Sequence, residues 1–220
     1  MGEVTPHQER IDGLIALARE FYQRGWMWGT SGNLSVKLAE RPRVIAISRS
    51  GASKGSLTYA DIAVLPEGER SSMPWLLAVK SGPSAETAIH QAVYEYVPEA
   101  GAVLHVHTVA STLVSLHADA RASGRVGHIE VVGLEMLKGW GIGWDNDELR
   151  ASIPVLANLE SMEALAAEFS SLLAEAPAVP LVLAAGHGMT VWGSDLEEAK
   201  NRLEIAEFIC QVALASANAG

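Results

Sequence analysis

The strongest constraint on this chain is its rhythm: helical stripes of apolar residues alternate with short apolar strands almost from end to end. Ile11, Leu14, Ile15, Ala18, Phe21 and Tyr22 recur at helical spacing, so they share one face of a helix. Thr5 followed by Pro6 marks its start, because proline at the first helical position lacks only an N–H that would have no partner there. Gly25 marks its end. Ala85, Ala88, Ile89, Ala92, Val93, Tyr96 and Val97 repeat the pattern, with Ser84 after Pro83 as the expected cap and Pro98 as the stop. Strands are expected near Leu34 to Lys37, then over Val44 to Ser48, Ala102 to His107, Ile129 to Val132, Leu181 to Ala184 and Met189 to Trp192. Helices are expected from about Val109, over Ser161 to Leu173, and after Ser194. There Ser194 and Glu197 suggest a capping box, ahead of an inner face of Leu196, Ala199, Leu203, Ala206 and Ile209. Gly133 to Lys138 reads as a short helix or turn. Interleaving of this kind predicts an α/β fold with helices covering a central sheet. With no repeat and no low-complexity linker, residues 1–220 are expected to form one domain.

Composition narrows the partners. Sixteen basic against 26 acidic residues give a formal charge of −10, which leaves no basic footprint for nucleic acid or an anionic membrane. An anionic substrate would need donors placed locally. The single cysteine, Cys210, fits a reducing compartment and reads as a small buried hydrophobe. No apolar run is long enough to span a bilayer, so a cytoplasmic location is expected.

His105 and His107 lie two apart in an expected strand, so their imidazoles leave the same face. His187 stands between two glycines just after a buried strand, where the backbone can turn sharply. Three neutral imidazoles with one open position form the ligand set of a catalytic zinc site; isolated histidines on strands also serve as surface or hydrogen-bonded core residues. His90, one turn after Glu86, suggests a local helix pair. His7, His117 and His128 have no partner spacing. Two carboxylates are candidates for proton transfer. Glu86 falls in the first turn of a helix, where an anion is favoured. Glu135 falls in a glycine-flanked, mainly apolar segment, where burial would favour its neutral form. Thr30, Ser31, Gly32 and Asn33, with Ser50 and Gly51, offer donors beside glycines and so suit an anion; Lys54 would add charge. Glu197, Glu198, Glu204 and Glu207 read as a solvated helix face. The six tryptophans (Trp26, Trp28, Trp75, Trp140, Trp144 and Trp192) suit packing or an interface.

Taken in order, Thr30-Ser31-Gly32-Asn33-Leu34-Ser35, Pro83-Ser84-Ala85-Glu86, Ala102-Val103-Leu104-His105-Val106-His107 and Gly186-His187-Gly188 resemble the class II aldolase family across almost the whole chain. Ser50 to Gly55, Gly133 to Gly139, Ile153 to Asn158 and His187 to Trp192 are most similar to the family's dehydratases; Trp140 to Arg150 is the least familiar stretch. The resemblance implies a three-layer α/β/α fold around a mainly antiparallel sheet. It implies a cyclic homotetramer with active sites near subunit boundaries, and one zinc ion per subunit held by His105, His107 and His187. It implies phosphate binding by Thr30 to Asn33, Ser50, Gly51 and Ser84, with Glu135 as acid/base and Glu86 beside the metal. The substrate would be a small phosphorylated ketose that loses water. Two rival outcomes share the fold: a sugar-phosphate aldolase on the same site, and a non-catalytic cytoskeletal scaffold, which has no need of three histidines and a carboxylate.

Overall fold

The alternation of residues along each strand decides this architecture. A computed structural model describes residues 5–66, 84–118, 126–145 and 147–217. Trp75 and Pro83, and Asn146 within the Trp140 to Arg150 stretch, lie outside them. The helices are α1 (Pro6–Gln23), α2 (Thr87–Tyr96), α3 (Val109–His117), α4 (Met162–Ala174) and α5 (Leu196–Ala217). The strands are β1 (Asn33–Glu40), β2 (Arg43–Ser48), β3 (Ile62–Pro66), β4 (Ala102–Val106), β5 (Val126–Val132), β6 (Arg150–Leu156), β7 (Leu181–Ala184) and β8 (Gly188–Gly193). They form one eight-stranded sheet in the order β3-β2-β1-β4-β8-β7-β6-β5, antiparallel throughout except for the β6–β7 pair.

Because successive strand residues face opposite ways, each central strand feeds two cores. Leu34, Val36 and Leu38 of β1, Leu104 and Val106 of β4, and Met189 and Val191 of β8 pack in one cluster with α1, α3 and α5 residues such as Phe21, Val114 and Leu203. Val103 of β4 and Trp192 of β8 pack on the other side with Ile89 and Val93 of α2 and Phe169 of α4. The result is a helix layer on each face of the sheet. Among the described residues, no helix is long and apolar enough to cross a membrane.

Element ends follow local chemistry. Thr5 caps α1 in a reciprocal box with Gln8, and Pro6 is its first residue. The start of α5 departs from the expected Ser194–Glu197 box by one residue. Asp195 Oδ1 accepts the Glu198 N–H, and the Glu198 carboxylate accepts the Ser194 N–H. Carboxylate reaches these N–H groups as well as hydroxyl does, so the spacing alone does not fix the register. Ser84 likewise does not cap α2, which begins three residues later at Thr87; its hydroxyl accepts the Glu86 N–H and its carbonyl the Thr87 N–H, forming a turn ahead of the helix.

Candidate metal centre

The α2 side of the sheet carries, among its polar residues, Asn33 and Ser35 of β1, His105 of β4 and Thr190 of β8. β1 and β8 flank β4, with Asn33 and Thr190 both in register with His105. His107 follows one residue after β4 ends, and its N–H donates to the Trp26 carbonyl. His187 sits in the tight turn between β7 and β8. The turn needs glycine at 188: a Cβ there would lie 2.4 Å from the Val106 carbonyl oxygen and 3.1 Å from the His107 ring.

This places the three imidazoles around one point. Ring centroids are 4.8, 5.1 and 4.7 Å apart, with interplanar angles of 83°, 76° and 78°. The Nε2 atoms of His105 and His107 approach to 2.9 Å. The Glu86 carboxylate completes the group, 2.9 Å from His187 Nε2 and 3.4 Å from His105 Nε2. One ligand atom from each of these four residues lies within 4.8 Å of all the others. A tetrahedral ion 2.0–2.1 Å from each nitrogen separates its ligands by about 3.3 Å, so the cluster has the dimensions of a metal site.

The electrostatics agree. Burial, then repulsion from His105 and His187, pushes the His107 pKa down to about 3, and burial lowers that of His105. Both rings are therefore neutral near pH 7, the form that ligates metal. His105 Nδ1 is engaged by Thr190 Oγ1 at 3.0 Å, which turns its Nε2 toward the cluster. His187 Nδ1 is buried and has no hydrogen-bond partner among the described residues. Burial pushes the Glu86 carboxyl up, but the neighbouring His105 and hydrogen bonds from His187 and Asn33 outweigh it, and the group stays ionised well below the usual carboxylate range. A donor set of three imidazoles and one carboxylate suits a borderline divalent ion such as zinc.

The glycine turns meet beside this cluster. Gly32 has φ +71°, and a Cβ there would lie 2.8 Å from the His105 carbonyl oxygen and 2.6 Å from Met27. Thr30, Ser50 and Gly51 are exposed, while Ser31 Oγ is buried with no partner among the described residues. Two residues expected to touch an anion are committed elsewhere. Lys54 is buried, with Nζ donating to the carbonyls of Thr30 and Ala52, each at 2.9 Å. It staples the two turns together instead of projecting from them, and burial lowers its pKa to about 8. Asn33 gives its amide N–H to Glu86 and its amide oxygen to His90 Nε2.

Glu135 corrects the sequence reading most. It opens a 3₁₀ turn (Glu135–Trp140) after β5, and its side chain is 74% exposed and paired with Lys138 at 2.7 Å. The apolar neighbours that suggested burial, Leu137 and Trp140, turn inward, whereas Glu135 turns out. Within one chain it is neither buried nor part of the four-residue cluster. His90, expected to pair with Glu86 one turn away, is fully buried and reaches it through Asn33; Glu207 is not on a solvated face, since its carboxylate accepts hydrogen bonds from Thr108 and Gln211 beneath α3. Cys210 is buried as expected, its thiol pushed up to about 12 by burial and by Glu207. The roles of Thr190, Ser35 and Tyr94 emerge only from the fold. The available signal was their period: Asn33 and Ser35 are two apart, as are His105 and His107.

A profile of the class II aldolase and adducin N-terminal domain matches residues 12–214. A methylthioribulose-1-phosphate dehydratase from Microcystis aeruginosa is 42% identical over 205 residues, covering 92% of this chain and 94% of that protein. A protein of the same name from Leptospira biflexa is 34% identical, covering 96% and 98%. Among solved structures, an L-fuculose-1-phosphate aldolase from Thermus thermophilus superposes with a TM-score of 0.70 at 23% identity, covering 96% of each chain. That likeness speaks to the fold.

Proposed function

The chain belongs to the class II aldolase and adducin family, and from that premise we propose that it dehydrates 5-methylthioribulose 1-phosphate to 2,3-diketo-5-methylthiopentyl 1-phosphate, a step of methionine salvage. The observation that carries this reading is the 42% identity with a dehydratase of that substrate over nearly the full length of both proteins. Zinc is the metal we assign to His105, His107 and His187, one per subunit, and it would supply Lewis acidity toward a carbonyl oxygen at C2. Glu86 stays a carboxylate at that centre, where it can take a fourth ligand position or accept a proton. The reaction removes the C3 proton and the C4 hydroxyl, so it needs a group that both takes and gives a proton. We assign that role to Glu135.

The exposure of Glu135 then implies that a neighbouring subunit completes each site. Supporting this, α3 leaves His107 with Val109, Leu113 and Leu116 exposed at one-turn and two-turn spacing, an apolar stripe beside the metal cluster. A cyclic homotetramer that covers this stripe would bring another chain to the centre. The phosphate would lie on Thr30, Ser31, Gly32, Ser50, Gly51 and Ser84. The unpartnered Ser31 hydroxyl supports this, while Asn33 and Lys54 hold the turns from behind.

The test is a product assay on zinc-loaded protein with methylthioribulose 1-phosphate. The 2,3-diketo phosphate is expected. Dihydroxyacetone phosphate would mean cleavage of the C3–C4 bond on the same centre, and would overturn the dehydration.

A further inference from the structure

Behind the metal cluster runs a buried line of polar groups that the reaction does not use. Tyr94 OH stands 2.9 Å from Ser35 Oγ, and Ser35 Oγ stands 2.7 Å from His90 Nδ1. His90 Nε2 stands 2.5 Å from Asn33 Oδ1, and Asn33 Nδ2 donates to Glu86 Oε2. Each of Tyr94, Ser35, His90 and Asn33 is at most 3% exposed. Two belong to α2 and two to β1, so the line joins a helix to the strand beneath it.

The direction of every proton in this line follows from one end. The Asn33 amide presents its Nδ2–H to the Glu86 carboxylate, whose oxygen accepts it. That leaves the Asn33 oxygen facing His90, whose Nε2 must then carry a hydrogen. His90 is fully buried, and burial, reinforced by His105, holds its pKa down to about 3. It is therefore a neutral ring with a single N–H, and its Nδ1 is an acceptor for the Ser35 hydroxyl. Tyr94 in turn donates to Ser35. The reverse polarity would set the amide oxygen of Asn33 against the Glu86 carboxylate, two acceptors face to face. Buried polar groups with no partner are costly, so only one orientation satisfies the whole line.

We propose that His90 is a positioning residue, whose Nε2–H locks the Asn33 amide so that its N–H holds Glu86 against the metal centre. Without this lock the Asn33 amide can rotate, and Glu86 loses the donor that fixes one of its two oxygens. The argument rests on the functional reading of Glu86 given above. Outer partners of this kind, which touch neither metal nor substrate, typically change affinity or turnover about 10- to 100-fold when removed.

Two measurements test it. The first is the ring ¹H–¹⁵N spectrum of ¹⁵N-histidine-labelled, zinc-loaded protein at pH 7, which needs neither substrate nor variant. His90 is expected as the Nε2–H tautomer; the Nδ1–H tautomer would overturn the proposal, whatever the substrate proves to be. The second is a double-mutant cycle on kcat with His90→Leu and Asn33→Ala. His90→Leu alone is expected to lower kcat about 10- to 100-fold, yet to cost less than about twofold once Asn33→Ala is present, because residues acting in one line are not additive. Losses that multiply would make His90 a packing residue and sink the idea. If His90→Leu does not fold, His90→Gln, which keeps an N–H toward Asn33, replaces it in the cycle. It is expected to fall less than twofold by itself, and a loss as large as that of Asn33→Ala would count against the lock.

Discussion

The two carboxylates set side by side show how differently one chain can prepare its groups. Glu86, at the start of α2, faces the central strands and is held by Asn33, His105 and His187, in a cluster where His105 is 3% exposed. Glu135 follows the edge strand β5, four strand positions from β4, or about 19 Å at ordinary strand spacing. Among the described residues it is held by an exposed lysine three residues away. The central group is preorganised by its own chain: burial and fixed donors hold its charge state and position before any ligand arrives. The edge group has neither, and its proposed role depends on burial that another subunit would provide. On the proposed roles, a single fold would supply a finished metal end and an unfinished proton-transfer end.

Four experiments would break or sharpen that contrast. His105→Ala removes an imidazole from the finished end. It should abolish stoichiometric zinc by elemental analysis and lower turnover about 10³-fold or more, since Lewis-acid stabilisation worth several kcal/mol is lost. Zinc at the wild-type level would defeat the ligand assignment. Glu135→Gln should leave zinc in place while lowering kcat about 10²- to 10³-fold, and near-normal turnover would remove Glu135 from the chemistry. A smaller effect should come from acid. His90 and His107 titrate near 6.5 when unfolded but have folded values of about 3. The unfolded chain therefore binds more protons between those limits, so stability is present above about pH 6.5 and is lost as pH falls toward 3. Between pH 7 and pH 5, each buried histidine should cost the metal-free protein about 2 kcal/mol, read from urea midpoints. An unchanged midpoint would mean that these rings are not held neutral. The smallest effect belongs to the edge: Lys138→Ala breaks only an exposed ion pair and should change stability by less than about 1 kcal/mol. A larger loss would show that the Glu135 turn is more firmly held than its exposure suggests.

The sequence showed more of the centre than of the edge, for a physical reason. Strand alternation and a glycine-framed turn are local signals, and they were enough to bring His105, His107 and His187 into view. The helix starts at Thr5 and Ser161 were equally plain, because a cap is read within four residues. Whether a polar side chain faces outward or beneath a neighbouring helix is decided by packing between distant segments. The apolar neighbours of Glu135 predict its burial, yet they take the inward side of a short turn and leave it outside. The acidic surroundings of Glu207 on α5 predict a solvated face, yet its position on that helix points beneath α3 toward Thr108. Lys54 and Asn33 show the same limit: residue type announced a donor, and only the fold said which acceptor it meets.

The sheet order also says something about how the protein comes into being. His105 and His187 are 82 positions apart (187 minus 105), yet β4 and β8 are adjacent strands. Closing a loop of that length costs about 4 kcal/mol in chain entropy beyond a constant, and only a largely assembled sheet repays it. An ion meeting the nascent chain would find only the His105–His107 pair, and all three nitrogens only once β8 has docked. Loading would then be a late event, a clasp closed on a folded body and not a seed for folding. The metal should slow unfolding far more than it hastens folding.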